Sequence, residues 1–600
     1  MTTERISRRA FLGSVGMLGA SALVTPARSR SAMPRVVLQV PNGMIHPFTS
    51  TSGVHVPPRG RSYMKFSFDF PEPSVEFEGY QFGFLIFTHE NVYGLDRERM
   101  SVSARDGALE LHCDQLVWAG GQEKAPGRLR ARLEKRDAFI EWDATVEMTR
   151  PIRAVTTIIR GVPRGRISSA LQGFFDPRED EVLLGYPFSG GNLFGPGAAR
   201  GMETPLALVQ AGERDFFFIS SLDERVRTKR YYFQPGERGY RLEAVCELEG
   251  WTRQTRVTFP RWRIGRAPTV EAIARAHYEH LERVYRLQPW ETRRDVPDWL
   301  RRIALVVTLH GMHYTGYIFN DYARMAEILR WVAERIPPDR VLVFLSAWDG
   351  RYYWEYPLYR PAPRMGGEEG FRRLIREAQR LGFRMMPMFG ANAANRQQPV
   401  FARVADAATA RIDGDRFDLN WVDWDNDRHQ DGWLSYMNLG VASWREYLFE
   451  RIAEVIERYG VDAYFLDIVG GWVNNPQADM HEGTRRLVLD LRAKYPHVLA
   501  CGEMHYDALL EFIPLYHVFS QVAYPAAVQK YARFFQHLSH PAPGRGSTGV
   551  HEAGFGRWNP ETLSLRDEQI PTLSVVDDTF TTYRDQMEAV IRRARQRAGI

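Results

Sequence analysis

The second half of the chain repeats one pattern, in which a short apolar run is followed by a polar segment and then by an amphipathic stretch of helical length. The apolar runs predict strands at residues 303–309, 341–346, 383–389, 461–466, 497–501, 517–522, 547–551 and 571–576. The amphipathic stretches predict helices at residues 321–335, 368–381, 443–459, 480–494, 525–538 and 580–598. A helix between two strands returns the chain to the same end of a sheet, so these strands are expected to be parallel. Eight such strands predict a (β/α)8 barrel, or TIM barrel, over residues 300–600.

The helix predicted at residues 443–459 is the best marked of this set. Ser443 at its start and Glu446 three residues later form the pattern of a capping box. Its apolar side chains fall on one face, as expected for a helix that packs against a sheet. These side chains are Trp444, Leu448, Ile452, Val455 and Ile456.

The first half of the chain has a different period, because apolar and polar residues alternate from about residue 36 to residue 265. The segments IEWDATVEM (140–148) and LEAVCELE (242–249) are examples, and such alternation is typical of antiparallel strands with one buried face. Many strands of this kind, separated by Gly, Pro and Asp turns, predict a β-sandwich over residues 36–265. A helix at residues 268–287 belongs to a helical linker over residues 266–299. The expected fold class is therefore multidomain, with an N-terminal β-sandwich followed by a C-terminal barrel.

The first 32 residues have the pattern of an export signal. Arg8 and Arg9 stand ahead of an apolar run at residues 10–24, which is the arrangement of a twin-arginine signal. The run is shorter than the roughly 20 residues that span a bilayer. We therefore expect a cleaved twin-arginine signal peptide over residues 1–32. The mature protein is then expected to be periplasmic or extracellular, without stable insertion in a membrane.

The net charge and the cysteine content bear on whether the protein binds nucleic acid, holds zinc or contains disulfides. The chain carries a net charge of +5, of which residues 1–32 supply +4 through five arginines and one glutamate. The remaining +1 argues against nucleic acid as a partner. The three cysteines, Cys113, Cys246 and Cys501, lack the spacing of a zinc site or of a disulfide framework. An isolated bond between Cys113 and Cys246 stays open as an alternative.

Polar residues at the carboxyl ends of the barrel strands are the candidates for chemistry. Asp467 follows the apolar run of GVDAYFLDIVGGW (460–472), and Glu503 follows the next strand in VLACGEMHYD (498–507). A carboxylate beside apolar residues costs free energy unless it has partners or a task. The other residues expected to bind substrate at this end are His310, Trp348, Asp349, Asn392, Asp425, Trp472, His505, His551, Glu552, Asp577 and Asp578.

Two carboxyl groups on neighbouring strand ends are suited to glycosidic bond cleavage. One attacks the anomeric carbon and the other protonates the leaving oxygen, at about 5 to 5.5 Å apart in retaining enzymes and about 6.5 to 9.5 Å in inverting ones. Gly470 and Gly471, next to Asp467, are expected to leave room for a sugar ring, with Trp472 as a wall. The alternative is that each acid caps a helix or pairs with an arginine. We favour catalysis because both acids follow apolar strands at the same end of the sheet.

These residues resemble a known group of enzymes. YFLDIVGGW after the helix YLFERIAEVIERYGVDA, with a glutamate at the end of the next strand, resembles retaining glycoside hydrolases of the α-amylase type and their relatives. These relatives include the endo-α-N-acetylgalactosaminidase-like barrels, which carry a β-sandwich ahead of the barrel. The resemblance implies that Asp467 is the nucleophile and Glu503 the acid/base. VHEAG (550–554) resembles the strand 7 site of these enzymes, with His551 and Glu552.

One departure concerns starch. The α-amylases proper place an arginine two residues before the nucleophile, and this chain has Phe465 at that position. The resemblance therefore does not extend to starch-type activity.

Two loops have the composition of a sugar-binding surface. WDGRYYWEYPLYR (348–360) and LNWVDWDNDRHQDGW (419–433) mix Trp and Tyr with polar residues, which suits stacking on sugar rings and hydrogen bonding to hydroxyls. Packing of these loops onto the rest of the protein explains the same composition. DWDND (423–427), which contains Asp425, offers oxygen ligands to a structural calcium ion but lacks the glycine and closing glutamate of an EF-hand. No other cofactor is expected.

Two other functions fit parts of the pattern. A metal-dependent barrel hydrolase could use His310, His313, His505 and Asp577, although its usual first-strand pair has HxH spacing and this chain reads HGMH. A non-catalytic carbohydrate-binding protein is the other alternative. The sequence favours an exported glycoside hydrolase that acts on an oligo- or polysaccharide with two carboxylates.

Overall fold

The computed structural model describes residues 73–118, 124–170, 173–178, 181–187, 199–236, 239–313, 316–351, 353–410, 412, 434–517, 526–535, 569–576 and 578–600. The predicted signal peptide, the first residues of the predicted sandwich and the strand predicted at 547–551 lie outside these residues. So do four predicted site residues, Asp425, His551, Glu552 and Asp577.

The described residues from 74 to 267 form strands that are paired mostly antiparallel, here called the antiparallel region. Its strands are β1 Ser74–Phe77, β2 Tyr80–Thr88, β3 Val92–Leu95, β4 Met100–Arg105, β5 Ala108–Cys113, β6 Leu116–Trp118, β7 Lys124–Ala125, β8 Gly127–Arg136, β9 Phe139–Met148, β10 Ile152–Val162, β11 Arg166–Ser169, β12 Phe174–Phe175, β13 Val182–Tyr186, β14 Ala199–Gly201, β15 Leu206–Gly212, β16 Asp215–Ser221, β17 Lys229–Gly236, β18 Gly239–Glu247, β19 Arg256–Thr258 and β20 Trp262–Ala267.

These strands make two sheets that share an apolar core. One has the order β14-β13-β17-β18-β10-β2-β3-β6-β7 with β1 beside β2, and the other β12-β11-β15-β16-β20-β9-β8-β5-β4 with β19 beside β9. Phe82 of the first sheet meets Trp142 of the second edge to face at 5.5 Å. The Trp142 indole also donates to the Thr157 hydroxyl of the first sheet at 3.0 Å. The two sheets therefore face each other across these side chains.

Alternation between buried and less buried side chains holds in β9, as predicted, but not in β18. In β18 the charged side chains Glu243 and Glu247 are buried along with the apolar ones. The reason is that β18 lies inside its sheet and its second face is covered by the other half of the chain, where Asn474 donates to the Glu247 carboxylate at 3.3 Å.

The described residues from 305 onward contain a parallel sheet, here called the parallel region. Its strands are β21 Leu305–Met312, β22 Val341–Arg351, β23 Arg384–Gly390, β26 Ala463–Asp467, β27 Leu499–Glu503, β28 Leu515–His517, β29 Arg533–Phe535, β30 Gln569–Ile570 and β31 Thr572–Val575, and a small antiparallel pair is β24 Ala393–Asn395 with β25 Leu434–Tyr436. The α-helices are α1 Val270–Tyr285, α2 Asp298–Arg301, α3 Tyr322–Ala333, α4 Gly367–Leu381, α5 Ala442–Tyr459, α6 Met480–Lys494, α7 Ala526–Gln529, α8 Thr579–Thr582 and α9 Arg584–Ala598.

The parallel sheet almost closes on itself. Its order is β30-β29-β28-β27-β26-β23-β22-β21-β31, and its two outermost strands, β30 and β31, are separated in the chain only by Pro571. β31 pairs with β21 and β30 pairs with β29, in both cases parallel. Pro571 itself accepts a hydrogen bond from the Val306 amide at 2.9 Å. The alternation of strand and helix therefore curls the sheet round to its own beginning.

The predicted strands at 303–309, 341–346, 383–389, 461–466, 497–501 and 571–576 each correspond to an observed strand, with shifted ends. The helix predicted at 525–538 is wrong over its described residues, 526–535, because only Ala526–Gln529 is helical there and Arg533–Phe535 is the strand that follows β28 in the sheet. Of the strand predicted at 517–522 only residue 517 is described, and it is the last residue of β28.

Helix α5 confirms its predicted apolar face but not its predicted cap. Trp444, Leu448 and Ile452 are buried, as are the other members of that face. No side chain caps its N-terminus, and Ser443 donates instead to the Asp406 carboxylate at 2.6 Å.

Helix α1 confirms the predicted helix at 268–287, with Thr269 accepting from the Ala272 amide. One apolar cluster extends from Val75 to Ala594 and so includes both regions. Among the described residues, no helix combines the length and apolar character needed to cross a membrane.

Candidate active site

The two predicted acids end neighbouring strands. Asp467 is the last residue of β26 and Glu503 the last of β27, and the two strands pair in parallel with Leu466 opposite Gly502. The ring of Phe465 contacts Phe344 and His517, side chains of other strands of the sheet. Because side chains alternate along a strand, Asp467 lies on the same face as Phe465. Asp467 is 1% exposed and Glu503 6%, so both carboxyl groups are held in a site that is largely closed to water.

The turns after the two acids are joined to each other. The Ile468 amide donates to Oε2 of Glu503 at 3.0 Å, and the Gly470 amide donates to the Glu503 carbonyl at 3.0 Å. Ile468 and Met504, the residues directly after the acids, both have φ of 59°. That left-handed conformation is costly for a side chain with a Cβ, above all for a β-branched one. The surroundings must therefore hold both turns, as is common near functional sites.

Gly470 and Gly471, which follow Asp467, do not leave the room for a sugar ring that the sequence predicted. A Cβ on Gly470 would lie 2.7 Å from the Met504 Cβ, and one on Gly471 would collide with the Tyr436 hydroxyl. The space that their missing side chains leave is filled by protein rather than left for a sugar ring. Their role is to let the turn after Asp467 pack against the turn after Glu503.

Asn392 and Tyr436 support this turn from the side of β23. The Asn392 amide donates to the Ile468 carbonyl at 2.9 Å and to the Tyr436 hydroxyl at 3.3 Å. Tyr436 in turn donates to the Gly471 carbonyl. Within the described residues, Oδ1 of Asn392 is buried without a hydrogen-bond partner. That oxygen remains able to accept a hydrogen bond from a bound hydroxyl.

Asp349, near the end of β22, is a buried acid with a strongly raised pKa. Burial, with Glu355 as a smaller repulsive neighbour, raises the pKa of the Asp349 carboxyl to about 8. Among the described residues its Oδ2 has no hydrogen-bond partner. A carboxyl group that stays protonated near neutral pH can donate a hydrogen bond as well as accept one.

Tyrosines of the 348–360 loop lie close to Asp467. Tyr356 packs on Gly390, the residue opposite Asp467 in the pairing of β23 and β26. Burial, followed by the charge of Asp467, holds the pKa of Tyr356 well above its ordinary value. Tyr359 accepts from the Gly390 amide at 2.9 Å. Tyr353, Tyr356 and Tyr359 are all buried, so much of this aromatic loop packs on the sheet, in line with the structural alternative for its composition.

His517 is a site residue that the sequence prediction missed. It ends β28 opposite Glu503, and its Nδ1 lies 3.8 Å from Oε1 of Glu503. The predicted strand began at 517, which placed this histidine at the wrong end of the sheet. A strand predicted two residues earlier, over LYH (515–517), would have placed His517 at the same end of the sheet as Glu503.

The remaining predicted residues have mixed surroundings. Trp348 stacks on Phe371 of α4 at 4.8 Å, and its indole donates to the Met388 carbonyl, so its ring lies in the core between sheet and helix. His310 lies 2.9 Å from the Ser574 hydroxyl on β31. His505 lies against the rings of Tyr516 and Phe534, and burial lowers its pKa to about 3.

Trp472 and Asp578 complete the set. Trp472 is buried in the turn after Asp467, where its amide donates to the Gly470 carbonyl. Asp578 lies at the start of α8, and its carboxylate accepts from the Thr582 hydroxyl at 3.1 Å. The Asp578 carboxylate thus forms this hydrogen bond within its own short helix.

Two further expectations concern cysteines and metals. All three cysteines are buried and free, so the alternative of a bond between Cys113 and Cys246 is wrong. Across the described residues, no three His, Cys, Asp or Glu side chains form a group suited to hold a metal ion. His310, His313 and His505 are therefore not brought together as one ligand set.

Comparison with known proteins gives fold but not family. No protein-family model and no curated protein matches this chain. The ligand-free α-N-acetylgalactosaminidase of Bifidobacterium bifidum is 12% identical, with a TM-score of 0.58 over 87% of this chain and 93% of that one. Its complex with GalNAc is 11% identical at the same TM-score and coverage. A GH36 α-galactosidase from Geobacillus stearothermophilus in complex with stachyose, 11% identical, has a TM-score of 0.47 over 90% of this chain and 77% of that one.

These structures are glycosidases by their names, and none of the three is an α-amylase. The α-amylase part of the resemblance thus stays a prediction. At 12% identity the similarity is one of architecture. Over most of its length, this chain has the fold of the Bifidobacterium α-N-acetylgalactosaminidase.

Proposed function

We propose that the protein is a glycoside hydrolase that cleaves a terminal α-linked sugar of the galactose type by a retaining mechanism. The observation that carries this proposal is the placement of Asp467 and Glu503 on neighbouring strand ends, buried and joined through the Ile468 amide. Two carboxyl groups at the ends of adjacent strands are suited to flank a glycosidic bond. The proposed architecture is a β-sandwich followed by a (β/α)8 barrel that carries the site at its carboxyl end.

We assign the roles of the two acids as the resemblance of their sequence motifs implies. In this proposal Asp467 attacks the anomeric carbon, and β26 holds its backbone in a fixed position, which a nucleophile needs. Glu503 protonates the leaving oxygen. Since its Oε2 accepts the Ile468 N–H, its proton resides on Oε1, the oxygen toward His517. In the second step the ionised Glu503 takes a proton from water, which hydrolyses the glycosyl ester and regenerates Asp467.

Substrate hydroxyls are bound, in this proposal, by the polar groups at the neighbouring strand ends. Asp349 and Asn392 each offer a buried oxygen without a hydrogen-bond partner among the described residues. Such atoms are costly unless a ligand or water pairs with them. The galactose-type substrate is suggested by the names of the structural neighbours, one of which is bound to GalNAc.

The first experiment asks whether the activity exists and with which stereochemistry. The mature protein is incubated with aryl α-galactosides, aryl α-N-acetylgalactosaminides and their β-anomers, and proton NMR identifies the first-formed sugar anomer. We expect hydrolysis of an α-glycoside with the α-anomer appearing first. Release of the β-anomer first would make the enzyme inverting, and no hydrolysis of any glycoside would leave a carbohydrate-binding protein.

The second experiment separates the two acids. Glu503→Gln is expected to slow substrates with poor leaving groups by about 10²- to 10⁴-fold and activated aryl glycosides far less, because a good leaving group needs no proton. Asp467→Asn is expected to abolish turnover of both kinds. If Glu503→Gln slowed hydrolysis of both kinds of substrate equally, Glu503 would not be the general acid.

Azide gives a check on the same assignment. In Glu503→Ala, azide should attack the glycosyl–Asp467 ester and yield the α-glycosyl azide. In Asp467→Ala it should replace the nucleophile and yield the β-glycosyl azide. The opposite products would exchange the two roles.

Export by the twin-arginine pathway is proposed from Arg8 and Arg9. Arg8→Lys with Arg9→Lys should leave the uncleaved protein in the cytoplasm of an expressing bacterium, while the parent chain appears outside it. Fractionation with blotting measures both. A double variant exported as well as the parent would assign residues 1–32 to another role.

A further inference from the structure

We propose that the antiparallel region positions the two acids, through two buried polar anchors on the turns that follow them. The Asp507 anchor consists of Asp507 with Tyr186 and Thr204, and the Asn474 anchor consists of Asn474 with Glu247 and Gly250. This inference rests on the proposed function of Asp467 and Glu503. It makes Asp507 and Asn474 positioning residues, with no contact to substrate required of them.

The Asp507 anchor holds the turn after Glu503. Asp507 lies four residues after Glu503, and its two carboxylate oxygens accept from different residues of the antiparallel region. Oδ1 accepts from the Tyr186 hydroxyl at 2.6 Å, and Oδ2 accepts from the Thr204 hydroxyl at 2.8 Å. The Asp507 amide donates to the Glu203 carbonyl at 2.7 Å. Three hydrogen bonds from one residue fix both the backbone and the side chain at this point.

The Asp507 anchor is buried and extends one residue further. His277 of α1 has its Nε2 2.6 Å from the Thr204 hydroxyl. Because that hydroxyl donates to Asp507, it accepts from His277, which therefore carries its proton on Nε2. Burial lowers the pKa of His277 to about 3, so its ring is neutral near neutral pH and donates through Nε2. Burial raises the pKa of the Asp507 carboxyl to about 6, so above that pH Asp507 is ionised and accepts from both hydroxyls.

The Asn474 anchor holds the turn after Asp467. Its Nδ2 donates to the Leu248 carbonyl at 2.9 Å and to the Glu247 carboxylate at 3.3 Å, and its Oδ1 accepts from the Gly250 amide at 2.8 Å. Both ends of the amide are used, which allows one orientation of the side chain. Glu247 is itself buried and paired with Arg230.

The two anchors hold one packed unit, because the turn after Asp467 packs against the turn after Glu503. The Ile468 and Gly470 amides donate to Glu503, and a Cβ on Gly470 would lie 2.7 Å from Met504. Ile468 and Met504 hold left-handed conformations that relax unless their surroundings prevent it. A displacement of about 1 Å at a reacting group costs on the order of 10²-fold in rate. Polar anchors suit this task better than apolar contacts, since hydrogen bonds specify direction as well as proximity.

The test removes single hydroxyl groups. Tyr186→Phe deletes one hydrogen bond to Asp507, and Thr204→Val deletes the bond to Asp507 together with the bond from His277, while each keeps the shape of the side chain. Thr157→Val is the matched control, because Thr157 is equally buried and accepts from the Trp142 indole inside the antiparallel region. Tyr186→Phe and Thr157→Val should lose similar stability in urea unfolding, and Thr204→Val should lose more, because it also leaves the His277 N–H without its acceptor.

The first readout is hydrogen–deuterium exchange of peptides that cover residues 468–475 and 504–511. Loss of one buried hydrogen bond should speed exchange there about tenfold in Tyr186→Phe. Exchange should be speeded at least as much in Thr204→Val and left unchanged in Thr157→Val. Equal exchange in the anchor variants and the control overturns the anchor. This readout needs no substrate, so it decides the inference even if the proposed glycosidase activity is not found.

The second readout is kinetic. With an aryl glycoside that the parent enzyme hydrolyses, kcat should fall about tenfold in the anchor variants while KM changes less than twofold, because the acids shift but the sugar contacts stay. Thr157→Val should keep both constants. Faster exchange together with an unchanged kcat would show that the contacts anchor the turns without positioning the acids, and would refute the inference.

Discussion

Asp349 is a carboxyl group whose protonation the fold controls strongly. Its pKa of about 8 contrasts with about 4 in an unfolded chain. Between these values the folded protein holds a proton that the unfolded chain releases. A raised acid pKa therefore stabilises the fold most below about pH 4, and this stability is lost as the pH rises toward 8.

The corresponding prediction is that Asp349→Asn removes this pH dependence. Between pH 5 and pH 8 the melting temperature of the variant should rise relative to that of the parent, because Asn carries no charge to desolvate. The exposed Asp106 provides the control, since Asp106→Asn changes a carboxyl group already in water. If the melting temperatures of the parent and of Asp349→Asn changed equally with pH, the Asp349 carboxyl would ionise in the folded protein without a free-energy cost.

At this scale the sequence predicts the acids better than their neighbours. Asp467 and Glu503 were found because each ends an apolar run, and the pairing of β26 with β27 confirms that they are adjacent. His517 was missed because a strand boundary was misplaced by two residues. Tyr436 was missed because its contact with Gly471 depends on the packing of loops, which period and composition do not encode.

At the scale of elements, helix ends give a paired prediction. Asp321 caps α3 by accepting from the Arg324 amide at 2.7 Å, whereas Ser443 lies at the start of α5 without capping it. Asp321→Ala should lower the free energy of unfolding by about 1 kcal/mol. Ser443→Ala should change it by less than about 0.5 kcal/mol. Urea denaturation measures both, and a larger loss for Ser443→Ala would restore the predicted capping box.

The glycines of the acid-bearing turn give a second element-scale prediction. Gly471→Ala should destabilise the protein by about 1 to 3 kcal/mol through overpacking, because the new methyl group collides with Tyr436. Gly94→Ala is the control, where the nearest atom would be Leu85 at an ordinary 3.8 Å. An effect no larger than that of Gly94→Ala would show that the turn has free space.

The elements that the sequence predicts well are those with long, regular patterns. Helix α5 and the strand containing Phe465 have both apolar period and length. The segment at 525–538 has a helical period, yet Arg533–Phe535 is a strand. The tertiary pairing with β28 outweighs the local preference there, and no property of the segment alone reveals that partner.

At the scale of the whole molecule, the two regions are expected to unfold together. One apolar cluster crosses between them, and buried polar residues such as Asp507 and Glu247 depend on partners across the boundary. Exposing either boundary surface would leave these groups without their partners. Calorimetry of the protein should therefore show one transition with equal van't Hoff and calorimetric enthalpies. Two resolved transitions would show that the regions are independent.

The three thiols lie in both regions, Cys113 and Cys246 in the antiparallel one and Cys501 two residues before Glu503. Each is buried, and burial raises the pKa of each, for Cys246 to about 12. A protonated, enclosed sulfur does not meet a reagent in solution. The rate at which a thiol reagent labels each cysteine therefore measures how often the native protein opens at that place. Labelling of Cys501 reports openings close to Glu503.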